Sequence, residues 1–375
     1  MGQITPEIEK NYLTQVKEIE KIYVDMLKNF DVTFPKPLNL KSEKKIFFQK
    51  IADDEVYNPL IKYEKKEIDL EKINLYKKRI KKISTSNDLY GLKKLYKKRL
   101  KTKLIQIRYQ KNWGNQSCVK DVMKYWGEPD YFLLRKAKKI CLEYKREKVK
   151  FTRLTNVKFA NELKKEVYRL TRTKIKVRYD NIHSKMNIEP YMKIIEINKN
   201  ERFTSLDLER LKIHEIGVHY LRYYNGHKMN VKILETGTAN YLETEEGLAA
   251  YAENEKGVLS KAQMFVYAGR VIATHYALKK SFYEVFQILK KYGFTNKVAF
   301  AITYRSKRCL NDTSLKGSFT KDYVYLKGFY SVSQYAKKYE IKDLFIGKIG
   351  IDDVKLVQKF INKNKHRIIS IFDNI

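Results

Sequence analysis

The chain of 375 residues is 43% hydrophobic and has only 15 glycines and 6 prolines, a composition that excludes a disordered or fibrous protein. Its 78 lysines and arginines outnumber 43 acidic residues and give a formal net charge of +35, which favours polyanionic partners, although an AT-biased genome also produces such a Lys-, Ile-, Asn- and Tyr-rich mixture. Three widely separated cysteines argue against a disulfide framework and a Cys-based metal site, and no apolar run reaches the roughly 18 residues of a membrane span.

The first 125 residues are predicted to form a helical, basic N-terminal region. An amphipathic helix is predicted from Thr5 to about Phe34, where Pro35 and Pro37 end it, and a second helix at about residues 42–53. The opening MGQITPEIEKNY lacks a basic segment followed by an apolar one, so no secretory signal is predicted and a cytoplasmic location is expected.

A basic element occurs twice in this region at a spacing of 20 residues, as LYKKRIKKI from Leu75 and LYKKRLKTKL from Leu95. Each copy places Tyr and Leu or Ile among lysines, which is typical of a surface helix with one buried stripe. A solvated helical face is therefore the favoured interpretation. A nucleic-acid-binding patch is the alternative, because clustered lysines also bind phosphates.

Residues 126–375 are predicted to fold as an α+β domain, mostly helical with a small antiparallel sheet. Strands are predicted at Lys174–Asp180 and Tyr191–Asn198 from their β-branched, alternating composition. One helix then covers TSLDLERLKIHEIGVHYLRYYNG, capped by Thr204 and stopped by Gly226 in a left-handed turn. A strand followed by a helix that carries HEIGVH is the core layout of zinc peptidases, in which an edge strand can bind an extended peptide.

HEIGVH contains two histidines, His214 and His219, that are candidate zinc ligands, and Glu215 is placed to act as a base. Positions five residues apart differ by about 140° around a regular helix, so the two imidazoles would point in different directions. A π-bulge would bring them to one side, and Gly217 between them is the residue that most readily permits such a distortion. The sequence therefore predicts a helix that bulges at residues 216–218.

A hydrolytic zinc ion needs a third protein ligand, and the residues offer two alternatives. His227 lies eight positions after His219, beyond the predicted helix stop. The segment ETEEGLAAYAENE is predicted to form a second helix with Glu245 and Glu246 in its first turn, and Glu246 lies 27 residues after His219. Glutamates in a first turn also stabilise helix N-termini without binding a metal.

Several separated motifs in the chain resemble those of the family of microtubule-associated tyrosine carboxypeptidases and their bacterial relatives. HEIGVHYLR followed by TEEGLA is similar to the family's HExxxH and EEGLA segments, and AFAITYRSKRCLNDTSLKGSFTKDYVYLKG to its Arg-rich segment. LFIGKIGIDDV is similar to its Gly-Lys-containing closing motif. The resemblance covers roughly residues 151–354.

The resemblance implies a gluzincin-like zinc peptidase core with one Zn²⁺ per chain. His214, His219 and Glu246 would be the zinc ligands and Glu215 the general base. Animal members of the family remove the C-terminal tyrosine of α-tubulin, so the resemblance also implies a protein or peptide tail as partner.

A carboxypeptidase must bind a terminal carboxylate, which arginine and lysine do best. The candidates lie in the Arg-rich segment, together with a tyrosine that could donate to the oxyanion, Tyr325 or Tyr323. The cationic candidates are Arg305, Arg308, Lys316 and Lys321. Each of these four residues could instead be a surface cation without a role in binding.

The sequence therefore predicts a cytoplasmic zinc carboxypeptidase, with its catalytic domain at residues 126–375, acting on the C-terminus of a protein tail that the positive charge suggests is acidic. One alternative is an endopeptidase with the same centre. Another is a basic protein that binds nucleic acid or a filament and holds a structural zinc ion, which is the less favoured interpretation of the basic surface.

Overall fold

The computed structural model describes residues 5–30, 32–145, 150–182, 184–364 and 367–373. The chain divides into two compact units: the first unit is Met1–Lys145 with Ala262–Lys327, and the second unit is Arg146–Lys261 with Gly328–Ile375. These bounds differ from the predicted division at residue 125, because residues 262–327 belong with the N-terminal part. The assignment of catalysis to residues 126–375 stays a prediction.

The elements confirm an α+β protein that is mostly helical. The α-helices of the described residues are α1 Pro6–Asn29, α2 Leu40–Ala52, α3 Leu70–Lys82, α4 Leu92–Lys111, α5 Ser117–Trp126, α6 Tyr131–Glu143, α7 Asn156–Thr171, α8 Ser205–Leu211, α9 Leu221–Lys228, α10 Lys232–Thr236, α11 Tyr241–Glu255, α12 Lys261–Ala277, α13 Phe282–Lys291, α14 Asn296–Lys307, α15 Val324–Ala336 and α16 Val354–Asn364. The strands are β1 Arg153–Leu154, β2 Lys176–Asp180, β3 Met186–Glu189, β4 Ile194–Asn198 and β5 Phe203–Thr204. A π-helix covers Lys212–Tyr220, and short 3₁₀ turns cover Thr320–Tyr323, Ile341–Phe345 and Ile351–Asp353. No helix in these ranges is long and apolar enough to cross a membrane.

In the first unit, α1 and α2 confirm the two predicted N-terminal helices. The side chain of Thr5 caps α1, but the helix ends at Asn29, before the two prolines. Phe30 is extended there, and its ring packs against Tyr76 of α3 at a centroid distance of 5.7 Å. A buried aromatic contact therefore ends the helix earlier than the prolines would.

The repeated basic element forms the helices α3 and α4, which pack on each other. In α3 the residues Ile73, Tyr76 and Ile80 form the buried stripe, and the lysines of that helix are exposed. This supports the interpretation of a solvated face for α3. In α4, by contrast, Lys93 and Lys103 are buried against neighbouring elements.

The second unit contains two small sheets. β1 and β5 form an antiparallel pair, and the other sheet has the order β2-β4-β3. The predicted strands are confirmed as β2 and β4, whereas β3 was not predicted. β4 is the central strand, antiparallel to β3 and parallel to β2. The chain reverses direction once between β2 and β3 and again between β3 and β4, so β4 runs in the same direction as β2. The larger sheet is therefore mixed, and its edge strand β3 packs against the π-helix together with α7.

The helix that carries HEIGVH is continuous from α8 through the π-helix to α9. Its predicted start is confirmed, since Thr204 and Asp207 form a reciprocal capping box. The predicted stop at Gly226 is wrong, because α9 continues to Lys228. Gly226 lies inside the helix at a close approach to α10, where a Cβ atom would be 2.1 Å from the carbonyl oxygen of Leu234.

Two glycines allow α11 and α15 to pack backbone against backbone. A Cβ atom at Gly247 would lie 2.2 Å from the carbonyl carbon of Gly328, and one at Gly328 would lie 2.1 Å from the carbonyl oxygen of Glu243. Both distances are far below van der Waals contact. The glycine of the EEGLA motif therefore places the helix whose first turns carry Glu245 and Glu246.

We expect Gly328→Ala to lower the free energy of unfolding by about 1–3 kcal/mol, because the added methyl group meets backbone atoms that cannot rotate away. Urea unfolding followed by circular dichroism measures the change. Gly350→Ala is the matched control in the second unit, since the nearest atom to its Cβ would be 3.5 Å away. Equal stability of the two variants would contradict the packing argument.

Candidate metal centre

The predicted bulge is confirmed: Lys212–Tyr220 forms a π-helix rather than a regular α-helix. The wider turn of a π-helix bonds each residue to the fifth one along, so His214 and His219 face the same side. Their ring centroids are 4.7 Å apart and the rings are nearly perpendicular, at 87°. Gly217 at the centre of the bulge packs against the side chain of Ile371, whose Cγ2 would be 2.7 Å from a Cβ atom there.

Both imidazoles direct Nε2 towards one carboxylate oxygen of α11. Glu246 Oε2 lies 3.7 Å from His214 Nε2 and 3.9 Å from His219 Nε2. Zinc–ligand bonds of about 2.1 Å in a tetrahedral arrangement separate two ligand atoms by roughly 3.4 Å. The two distances from Glu246 Oε2 are therefore close to those that a shared zinc ion would impose.

Glu215 belongs to the same cluster. One potential ligand atom from each of His214, Glu215 and His219 lies within 4.8 Å of the other two. Three ligands with a carboxylate beside them leave a position for water, as hydrolytic zinc sites require. His227, the alternative third ligand, has a side chain that is 59% exposed and pairs with Glu235 over 3.4 Å.

Each histidine is held at its other ring nitrogen by a further carboxylate of α11. Glu253 Oε1 lies 2.7 Å from His214 Nδ1, and Glu245 Oε1 lies 3.1 Å from His219 Nδ1. A carboxylate that accepts a hydrogen bond from Nδ1–H keeps the proton on that nitrogen. The unprotonated Nε2 is then available to a metal. The sequence contained a signal for Glu253, which lies seven residues after Glu246 and so on the same helix face.

Ion pairs with the carboxylates of α11 dominate the electrostatics of the cluster. Burial opposes the charged form of His214, but the carboxylates of Glu246 and Glu253 outweigh it and raise its pKa to about 10. Burial likewise opposes ionisation of Glu245, yet Lys348 and Arg222 hold the pKa of that carboxyl well below its usual range. Two of these carboxylates are also paired with cations, Glu245 with Arg222 and Lys348 and Glu253 with Arg210. Mixed imidazole and carboxylate donors are the ligands that hydrolytic zinc sites use.

The predicted carboxylate-binding residues all belong to the first unit. Arg305 Nη2 donates to Asp322 Oδ1 over 3.0 Å, and Arg308 Nη2 lies 3.5 Å from the same oxygen. The Arg308 guanidinium lies 4.6 Å from the ring centroid of Phe34 and 4.4 Å from that of Phe319. Burial opposes ionisation of Asp322, but the two arginines hold the pKa of its carboxyl well below the usual range.

The other candidates of that segment have different surroundings. Lys316 is exposed, and Lys321 Nζ lies 5.3 Å from the ring centroid of Phe34. Tyr325 stacks on Tyr267 at 5.2 Å. Tyr323 is buried and its hydroxyl donates to the carbonyl of Trp126 over 2.6 Å, which gives it a structural role. Binding of a substrate carboxylate by Arg305, Arg308, Lys316, Lys321 and Tyr325 stays a prediction.

Comparison with known proteins agrees with these motifs. The family model described as microtubule-associated tyrosine carboxypeptidase matches residues 45–367. Among similar relatives, microtubule-associated tyrosine carboxypeptidase 1 of Homo sapiens is 34% identical over 150 residues and that of Rattus norvegicus 32% over 151 residues. The alignments cover 39% and 40% of this chain and 32% of each relative, so the chain spans about a third of the length of these curated relatives.

The family match begins at residue 45, more than one hundred residues before the region of resembling motifs at residues 151–354. It therefore includes most of α2 and all of α3 to α6, for which the motifs alone suggested no relationship. Since the match extends over most of the chain, this protein belongs to the microtubule-associated tyrosine carboxypeptidase family.

Proposed function

We propose that the protein is a zinc-dependent carboxypeptidase that removes one or more residues from the C-terminus of a protein or peptide. The observation that carries the proposal is the convergence of His214 Nε2 and His219 Nε2 on Glu246 Oε2 with Glu215 beside them. These three residues would hold one zinc ion. When bound, zinc polarises the scissile carbonyl and lowers the pKa of a water molecule.

The chain's own residues would supply the rest of the chemistry. Glu215 accepts a proton from the attacking water and delivers it to the nitrogen of the departing residue, which is general base and then general acid catalysis. Glu245 and Glu253 keep the two imidazoles oriented through Nδ1. Arg305 and Arg308 both contact the carboxylate of Asp322, and we propose them for the terminal carboxylate because guanidinium groups bind carboxylates in a bidentate manner.

We propose a tubulin-like acidic tail as the substrate class, a C-terminal tyrosine or another single residue as the product, and the cytoplasm as the location. Two observations support an acidic tail: the net charge of +35, and the exposed lysines Lys78, Lys81 and Lys82 of α3, which form no ion pair with the described residues. The names of the relatives, which refer to microtubules and tyrosine, agree with this choice.

A peptide panel tests the proposal. We expect a peptide with an acidic tail and a free C-terminal tyrosine to lose that tyrosine, and the same peptide with a C-terminal amide to remain intact, because the amide lacks the charge that an exopeptidase recognises. Mass spectrometry of the products measures both. Raising the salt concentration should slow cleavage of the acidic peptide more than that of a matched neutral peptide.

Two results of this panel would favour the alternatives. Internal cleavage of the amidated peptide would identify an endopeptidase with the same centre. Zinc that is bound without any cleavage, together with salt-dependent binding of duplex DNA, would favour a basic binding protein with structural zinc. Against that second alternative, structural zinc usually has cysteine or histidine in its fourth position, whereas His227, the next histidine after His219, is exposed and pairs with Glu235.

A further inference from the structure

Lys348 lies in the segment LFIGKIG, outside the helices that carry the two histidines, yet its side chain reaches the carboxylate that holds His219. Its Nζ donates to Glu245 Oε1 over 2.8 Å, and the same oxygen lies 3.1 Å from His219 Nδ1. The Lys348 side chain is only 17% exposed, so solvent and salt screen this ion pair weakly. A connected path of polar contacts therefore joins Lys348 to a proposed zinc ligand.

The backbone of Lys348 is held independently of its side chain. Its N–H donates to the carbonyl oxygen of Leu234 over 2.7 Å, and its own carbonyl accepts from the N–H of Thr238 over 2.9 Å. Gly347 permits this approach, since a Cβ atom there would lie 2.6 Å from the Leu234 oxygen. The starting point of the lysine side chain is therefore set by two backbone bonds rather than by a mobile surface loop.

Arg222 holds the other oxygen of the same carboxylate. Its Nη1 donates to Glu245 Oε2 over 2.5 Å, and its remaining donors bind the carbonyls of Leu344 and Ile349 over 2.8 and 2.5 Å. With one cation on each oxygen, the carboxylate of Glu245 has a single favoured orientation. Loss of Lys348 would leave one oxygen to His219 alone and would let the carboxylate turn towards Arg222.

We propose that Lys348 is a positioning residue of the metal centre: by fixing Glu245, it orients His219 so that Nε2 faces the zinc ion. The inference rests on the proposed zinc function and assigns a role to the closing Gly-Lys motif. An imidazole that is already held at Nδ1 gives up less freedom when it binds a metal. Orienting partners of this kind typically contribute about 10–100-fold in metal affinity.

The zinc dissociation constant of Lys348→Met is expected to be about 10–100 times that of the wild type. Competition with a chromophoric chelator measures it without reference to catalysis. Lys348→Arg should recover most of the affinity, and Lys348→Gln, which keeps a donor but no charge, should be intermediate. Lys355→Met removes an exposed lysine of α16 in the same unit and should bind zinc like the wild type.

A double-mutant cycle separates positioning from general destabilisation. If Lys348 acts through Glu245, then Glu245→Gln and the double variant with Lys348→Met should bind zinc equally well. Fully additive losses would overturn the inference, and so would an unchanged dissociation constant in Lys348→Met. Thermal unfolding of the zinc-free proteins shows whether each variant is folded, and the absorption spectrum with Co²⁺ reports the coordination geometry. Wild-type protein that binds no zinc would contradict the proposed function itself, whereas zinc binding that is insensitive to Lys348 would contradict only its positioning role.

Discussion

Replacing Glu215 with glutamine is expected to abolish peptide hydrolysis and to leave zinc binding nearly unchanged. Glutamine has the shape of glutamate but cannot accept a proton from water, and loss of a general base typically lowers the rate by about 10²–10⁴-fold. The proposed ligand atoms belong to other residues, His214, His219 and Glu246. The turnover number on a tyrosine-ended peptide and the zinc content of the same sample are the two measurements.

Glu209→Gln is a suitable control for this prediction, because Glu209 lies on α8 in the same continuous helix and its side chain is 58% exposed. It should keep wild-type activity and zinc content. Substantial turnover by the Glu215→Gln protein would rule out Glu215 as the base. Loss of zinc from that variant would indicate that Glu215 is itself a ligand, which its place in the cluster of potential ligand atoms permits.

Glu246→Gln is expected to weaken zinc binding by more than about 100-fold. This exceeds the loss of about 10–100-fold that is typical when a residue that only orients a ligand is replaced. The carboxylate oxygen of Glu246 lies within 4 Å of Nε2 on both histidines, so its loss removes a charged donor from the centre of the site. Activity should fall in parallel with zinc occupancy, which equilibrium dialysis against a zinc buffer measures.

The control for Glu246 lies on the same helix. Glu255 is an exposed residue at the C-terminal end of α11, and Glu255→Gln should bind zinc like the wild type. If excess zinc fully restores activity to Glu246→Gln, then Glu246 contributes to affinity alone. A Glu246→Gln protein with wild-type affinity would show that the third ligand is another group.

Sequence periodicity and capping chemistry predicted part of the helical framework. The capping box at Thr204 and Asp207, the N-terminal helices and two strands of the larger sheet follow from local patterns, and local patterns act within a few residues. The errors arose where distant segments meet. Gly226 was predicted to end a helix because glycine commonly does so, but here its missing side chain makes room for the backbone of α10.

The sequence by itself determined which side chains the candidate site contains. The residue types at His214, Glu215, His219 and Glu246, and the one-residue excess that demands a π-bulge, were visible in HEIGVH and TEEGLA. The family resemblance already implied Glu246 as the third ligand, and only the tertiary structure decided that its neighbour Glu245 lies beside His219 Nδ1. It also decided that Lys348, more than one hundred residues along the chain, neutralises Glu245. The physical reason is that the side-chain chemistry of a candidate ligand can be seen in the sequence. Its orientation depends on contacts with distant segments, and separation along the sequence does not predict distance in space.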